Sequence, residues 1–160
     1  MESLNNKELL NMEEILPLLN EVISSGGEFK LFPRGTSMLP LLRQGVDSVI
    51  LVSPSKIEKN DIVLYKRNNS QYVLHRVIKI KHKEYYMCGD NQYVLEKGIK
   101  EDQILAKVIC IYKDNTRLEL TSKEYIRYVK KLKSSRFKRT IKSKLRFLKK
   151  IIPWKRKRPS

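Results

Sequence analysis

From Glu28 to Thr121 the chain is a succession of short apolar, β-branched runs broken by polar turns, and this rhythm limits the fold more than any other feature. "EFKLF" (28–32) alternates in character, and "DSVILVS" (47–53) is β-branched and apolar. "DIVLYKR" (61–67) and "QYVLHRVIKI" (71–80) flank "NNS", a hairpin signal. "EYYMCGD" (84–90) follows "KHK", and "QILAKVICIYK" (103–113) and "RLELTS" (117–122) flank "DNT", a second hairpin signal. No long stretch with helical spacing interrupts these runs, and there is no internal repeat. The expectation is an all-β or mostly β domain over 28–121.

The flanks differ. Leu9, Met12, Ile15, Leu16, Leu19, Val22 and Ile23 recur at helical spacing over 6–24, and Gly26 and Gly27 are stop signals. Pro17 interrupts this pattern and is expected to kink or divide the helix. After Ser122 the spacing is again helical to about Ile152, with Tyr125, Val129 and Leu132 on one face. Phe137, Ile141, Leu145, Leu148 and Ile152 form a second stripe, followed by Pro153, Trp154 and "KRKRPS". The chain therefore divides into an N-terminal amphipathic helix (1–27), a β-rich domain (28–121) and a basic amphipathic helical tail (122–160).

Charge sharpens that division. Of the 34 Lys and Arg, 17 lie in 123–160 beside one acid, Glu124, so the tail carries +16 of the formal +17. Residues 1–122 hold the other 17 Lys and Arg beside 16 acids and are nearly neutral, which excludes a globally basic nucleic-acid-binding domain. A basic helix with an apolar stripe, with Phe137, Phe147 and Trp154 available, suits an anionic membrane surface. Each Lys or Arg near such a surface contributes about 1 kcal/mol. Nucleic acid is the less favoured partner for the same charge, and a tail packed on the domain is the plainer reading. No apolar run approaches the roughly 18–20 residues that span a bilayer. The acidic N-terminus lacks the form of a secretory signal. The expected location is cytoplasmic, peripheral on the inner membrane face, with Cys88 and Cys110 as buried thiols rather than a disulfide.

Three stretches carry candidate chemistry. "RGTSMLP" (34–40) places one hydroxyl, Ser37, in a turn between Gly35, which opens unusual backbone angles, and Pro40, which stiffens what precedes it. Ser37 could cap a helix or act as a nucleophile, and a nucleophile needs a base within hydrogen-bond reach. Only two histidines exist. His82 sits in the polar turn "IKHKE" and is expected to be solvated. His75 lies inside "YVLHRVI", where alternation puts Val73, His75 and Val77 on one face and Leu74, Arg76 and Ile78 on the other. Both faces are largely apolar, so the strand is expected to be central. The plainer reading of His75 is a core histidine satisfied by a backbone carbonyl. In "CGDNQYVLEKG" (88–98), Asp90 either caps its own turn or supports a site, and Glu96 is either a surface acid or a functional one.

Taken in order, "RGTSMLPLL", "NDIVLYK", "VLHRVIKI" and "MCGDNQ" resemble the type I signal peptidase family and its wider serine-peptidase superfamily, which includes the self-cleaving repressors. The resemblance spans residues 29 to about 112 and implies a signal-peptidase-like coiled β fold, a serine-type endopeptidase, no metal and no organic cofactor. It implies that Ser37 is the nucleophile and that Met38 helps shape the site. His75 stands where the bacterial housekeeping branch and the repressors carry a lysine base. "HRVIK" is similar to the archaeal and endoplasmic-reticulum branch, which uses histidine. That branch has an acid soon after its Gly-Asp-Asn, so the third member is Asp90 or Glu96. Imidazole, with an unperturbed pKa of about 6.5, suits a base near neutrality. The oxyanion would be held by backbone N–H groups, Ser37's first. Gly35 offers no side-chain donor there, which leaves backbone, Thr36 or another loop. The implied substrate is a peptide or preprotein, cut after a small residue. The family's transmembrane anchor and its large additional β domain have no counterpart here, which points to a small precursor peptide made in the cytoplasm. A repressor-like regulator and an inactive binding module on the same fold are the alternatives.

Overall fold

The computed structural model describes residues 12–135. The chain divides into two units, Met1–Leu120 and Thr121–Ser160. The first holds helix α1 (Met12–Ser24) and eight strands: β1 (Phe29–Leu31), β2 (Ser48–Val52), β3 (Ile62–Lys66), β4 (Tyr72–Lys81), β5 (Glu84–Cys88), β6 (Glu96–Ile99), β7 (Ile104–Lys113) and β8 (Thr116–Glu119). All pairings are antiparallel, in the order β1-β2-β7-β3-β4-β5-β6, with β8 paired to β7. The mostly β architecture expected from the period-two pattern is the one observed.

The turns follow their sequence. Asp114 and Asn115 have φ of 47° and 66°, and His82 and Lys83 have 50° and 62°, the double left-handed geometry that joins two strands without splaying them. At "NNS" the Arg67 N–H bonds the Gln71 carbonyl at 2.8 Å and Ser70 takes φ of 66°. His82 is exposed, as a polar turn requires. β6 is an addition to the expected set. "EKGI" has low strand propensity and no alternation, and it is a strand because it pairs with β5.

α1 runs through Pro17 without a break, so the expected division does not occur. It buries Leu19 and Ile23. A Schellman pair ends it: Gly26 N–H to the Ile23 carbonyl at 3.1 Å and Gly27 N–H to the Val22 carbonyl at 2.8 Å, with Gly26 at φ 79°. The expected helical positions before residue 12, including Leu9, lie outside the described residues.

The four residues Ile62–Tyr65 of β3 are buried on both faces, which explains the continuous apolar run. On one face Val63, Tyr65, Val77, Met87, Ile99 and Ile104 form a single cluster. The strand register shifts at Ile50/Leu51, Leu64/Tyr65, Val77/Lys79 and Tyr85/Met87. Cys88 and Cys110 are buried free thiols.

In the second unit a helix begins at residue 123 and continues to 135, the last described position. Ser122 caps it: its Oγ accepts the Tyr125 N–H at 3.1 Å, and its carbonyl accepts the Ile126 N–H at 3.0 Å. The stripe expected from Phe137 to Ile152, Trp154 and the terminal basic run lie outside the described residues. No helix among the described residues is long and apolar enough to cross a membrane.

Candidate functional site

The segment between β1 and β2 is a stiff excursion. Gly35 takes φ of 87°, the Leu39–Pro40 peptide is cis, and the Leu39 N–H bonds the Thr36 carbonyl at 3.2 Å. Gly35 N–H donates to Gln44 Oε1 at 2.6 Å, closing the excursion across its base. Met38 is buried, while Ser37 is half-buried and Gly35 and Thr36 are exposed. So the turn sinks the methionine and keeps the serine at the boundary with solvent.

Two anchors fix this turn. The first is the 89–91 loop. A Cβ on Gly89 would come within 2.5 Å of the Ser37 carbonyl oxygen, so only glycine permits the approach. The Asn91 N–H then donates to that carbonyl at 2.8 Å, and Asn91 Nδ2 donates to the Thr36 carbonyl at 3.3 Å. The second anchor is Asp47, fully buried. Its Oδ2 accepts the Arg43 N–H at 2.8 Å and its Oδ1 the Arg43 Nη2 at 2.7 Å. Lys113 of β7 reaches the same carboxylate at 3.4 Å and donates to the Leu41 carbonyl at 2.6 Å. Arg43's hydrogen bonds, against the opposing pull of burial, hold the Asp47 carboxyl down at about 2.

His75 is 2% exposed and lies on β4, paired with Val63 of β3 and flanked by β5. The central placement expected for this strand is correct. His75 and Ser37 line one cavity of about 490 Å³, together with Gly35, Met38, Arg67 and Gln92. The structure thus brings the hydroxyl and the imidazole to the same pocket from segments remote in sequence.

The two candidate acids occupy different places. Asp90, 3% exposed, accepts from Arg76 Nε at Oδ1 (2.8 Å) and from Arg76 Nη2 at Oδ2 (2.6 Å). Arg76 also donates to the Asn60 carbonyl at 2.9 Å. Alternation directs Arg76 to the face of β4 opposite His75, so Asp90 joins the 89–91 loop to that strand from behind. Glu96, at the start of β6, lies toward His75 instead. Tyr65 donates its hydroxyl proton to Glu96 Oε2 at 2.7 Å, and the same hydroxyl lies 3.1 Å from His75 Nδ1. Arg67 grips Glu96 from beyond, with Nε 2.8 Å from Oε1 and Nη2 2.7 Å from Oε2. Burial pulls the Glu96 carboxyl upward, but the hydrogen bonds from Arg67 and Tyr65 and the nearby positive charge outweigh it and leave it below the usual range. Burial, aided by Glu96, drives the Tyr65 phenol far up, so it stays protonated.

Tyr65, Arg67, Gly89 and Asn91 were not singled out by the sequence reading. The hairpin register could have found the first two. "NNS" pairs Val63 with His75 and Tyr65 with Val73, which sets Tyr65 diagonally beside His75 on one face. Among the described residues, no group of three or more His, Cys, Asp or Glu is placed to hold a metal ion. Compared with known proteins, the chain matches no family model and no curated protein.

Proposed function

We propose that the chain is a serine endopeptidase of the signal peptidase type, cutting a leader segment or a small precursor peptide. One observation carries the reading: Ser37 and His75 share a single cavity, with the serine on a rigid turn and the imidazole on a central strand. In the proposed reaction His75 takes the Ser37 proton as Oγ attacks the scissile carbonyl. The developing oxyanion is held by main-chain N–H groups of the turn, Ser37's first, with the exposed Thr36 hydroxyl at hand. The C–N bond then breaks, and His75 passes its proton to the leaving amine. An acyl group remains on Ser37 until a water, deprotonated by His75, releases it. Met38 forms the buried floor behind the serine. Asp90 supports this machinery at a distance, by tying its loop to Arg76.

The substrate binds with a small residue before the cut, in keeping with the motif resemblance. The +16 charge favours action at an anionic membrane surface, through peripheral contact of the basic tail.

The test is covalent labelling by a penem or fluorophosphonate probe, read by intact mass on wild type, Ser37→Ala and His75→Ala. The expected result is one adduct on wild type, none on Ser37→Ala, and labelling of His75→Ala slowed by about 10²-fold or more. Folded wild type that takes no adduct at pH 7 to 9, with and without anionic vesicles, would overturn the proposal.

A further inference from the structure

A histidine base works only if the correct nitrogen carries the lone pair, and something must hold the other one protonated. The Ser-His resemblance implies an acid for this task. Here the group at hydrogen-bond distance from His75 Nδ1 is a neutral phenol, that of Tyr65 at 3.1 Å, with Glu96 one step further out.

Proton counting fixes the direction of this chain. Ionised Glu96 can only accept, and its Oε2 lies 2.7 Å from the Tyr65 oxygen, so the single phenolic proton is committed there. The Tyr65 oxygen is then left with lone pairs, and toward His75 it acts as an acceptor. His75 must therefore supply the proton at Nδ1, which leaves Nε2 as the basic nitrogen. Arg67 closes the far end. Its guanidinium binds both oxygens of Glu96 and has only donors, so the carboxylate stays an acceptor. Tyr65 is fully buried in the apolar cluster that includes Val63, Val77 and Met87, and this packing gives its hydroxyl a fixed position.

We propose that Tyr65 is the positioning residue that selects the Nδ1–H tautomer of His75, and that Glu96 influences that tautomer only through the Tyr65 hydroxyl. The proposal rests on the serine-peptidase reading for its kinetic consequence, but not for its structural one. Tyr65 touches no reacting atom. It sets which nitrogen faces the work.

The experiment uses the full chain labelled with 15N and has two arms. The first reads the imidazole nitrogens by NMR. The sequence has two histidines, so His82→Gln assigns His75 directly. Wild-type His75, when neutral, is expected as the Nδ1–H form. In Tyr65→Phe, which keeps the ring and its packing, it is expected to become a mixture or to switch to Nε2–H. A neutral Nε2–H form in wild type, or an unchanged tautomer in Tyr65→Phe, overturns the proposal whatever the protein's activity.

The second arm compares probe-labelling rates of wild type, Tyr65→Phe, Glu96→Gln and the double variant. Each single change is expected to slow labelling by about 10²-fold. The double variant should be no slower than Tyr65→Phe alone, since removing the hydroxyl disconnects Glu96. Multiplicative losses would mean that Glu96 reaches His75 by another route, and would overturn the second clause. If wild type is not labelled at all, the peptidase reading fails, and the tautomer arm still decides the role of Tyr65.

Discussion

Replacing Asp90 by Asn separates two roles that a carboxylate near a site can have. The Asp90 and Arg76 side chains are 0% and 2% exposed, and two short hydrogen bonds join them. Asn retains the size and one acceptor oxygen but removes the charge that Asp90 sets against the buried Arg76 guanidinium. Breaking such a pair costs about 3–5 kcal/mol, a large part of the roughly 5–15 kcal/mol that holds a domain together. For a urea m-value of about 2 kcal/mol/M, the unfolding midpoint should fall by about 2 M. Urea titration followed by far-UV circular dichroism measures this. Removing both charges together, as Arg76→Met with Asp90→Leu, should recover most of the loss, since buried pairs replaced by apolar groups are often neutral in stability. Probe labelling should follow stability: weak in Asp90→Asn and largely restored in the double variant. The reasoning fails if Asp90→Asn keeps the wild-type midpoint yet abolishes labelling. Asp90 would then act on the chemistry and not through Arg76.

Gly89→Ala should slow probe labelling and lower the thermal midpoint, because its Cβ would sit 2.5 Å from the Ser37 carbonyl oxygen and 3.0 Å from the Ser37 Cβ. An unchanged labelling rate would mean that the close approach has no bearing on the reactivity proposed for Ser37. Asp47 should confer acid-sensitive stability. Its folded carboxyl, at about 2, lies below its unfolded value of 3.8, so the contribution is complete above the unfolded value and is lost as pH falls through the folded one. That contribution is about 2 kcal/mol and should be missing from the pH profile of Asp47→Asn unfolding. The +16 tail should bind phosphatidylserine vesicles with an affinity that falls steeply with salt. Duplex DNA binding that persists at a salt concentration where vesicles are released would assign the tail to nucleic acid instead.

Most of the strand framework was legible because each run either alternates or is flanked by residues that adopt left-handed angles, as Asp114 and Asn115 do. β6 was not, because Glu96–Ile99 has no pattern of its own and takes its conformation from β5. That omission also hid part of the site. Glu96 could be named as a candidate, but without its strand nothing placed it near Tyr65. Asp90 was ambiguous because its neighbour in sequence, Asn91, faces the serine turn while its own side chain reaches Arg76. A one-dimensional motif cannot show that adjacent residues serve opposite faces of a strand. Pro17 illustrates the reverse case, in which a residue expected to divide a helix is carried within α1.

The strand order has a bearing on when the proposed site can form. β7 lies between β2 and β3, so within the sheet the half that follows the Ser37 turn joins the half that carries His75 through residues 104–113. The last of these, Lys113, also grips the loop after Ser37 through the Leu41 carbonyl and Asp47. A ribosome would extrude the serine first, the histidine next, and this seam only afterwards. Nascent chains therefore carry Ser37 and His75 before the strand between β2 and β3 has emerged, so the sheet that frames the proposed site is completed only after both residues are made.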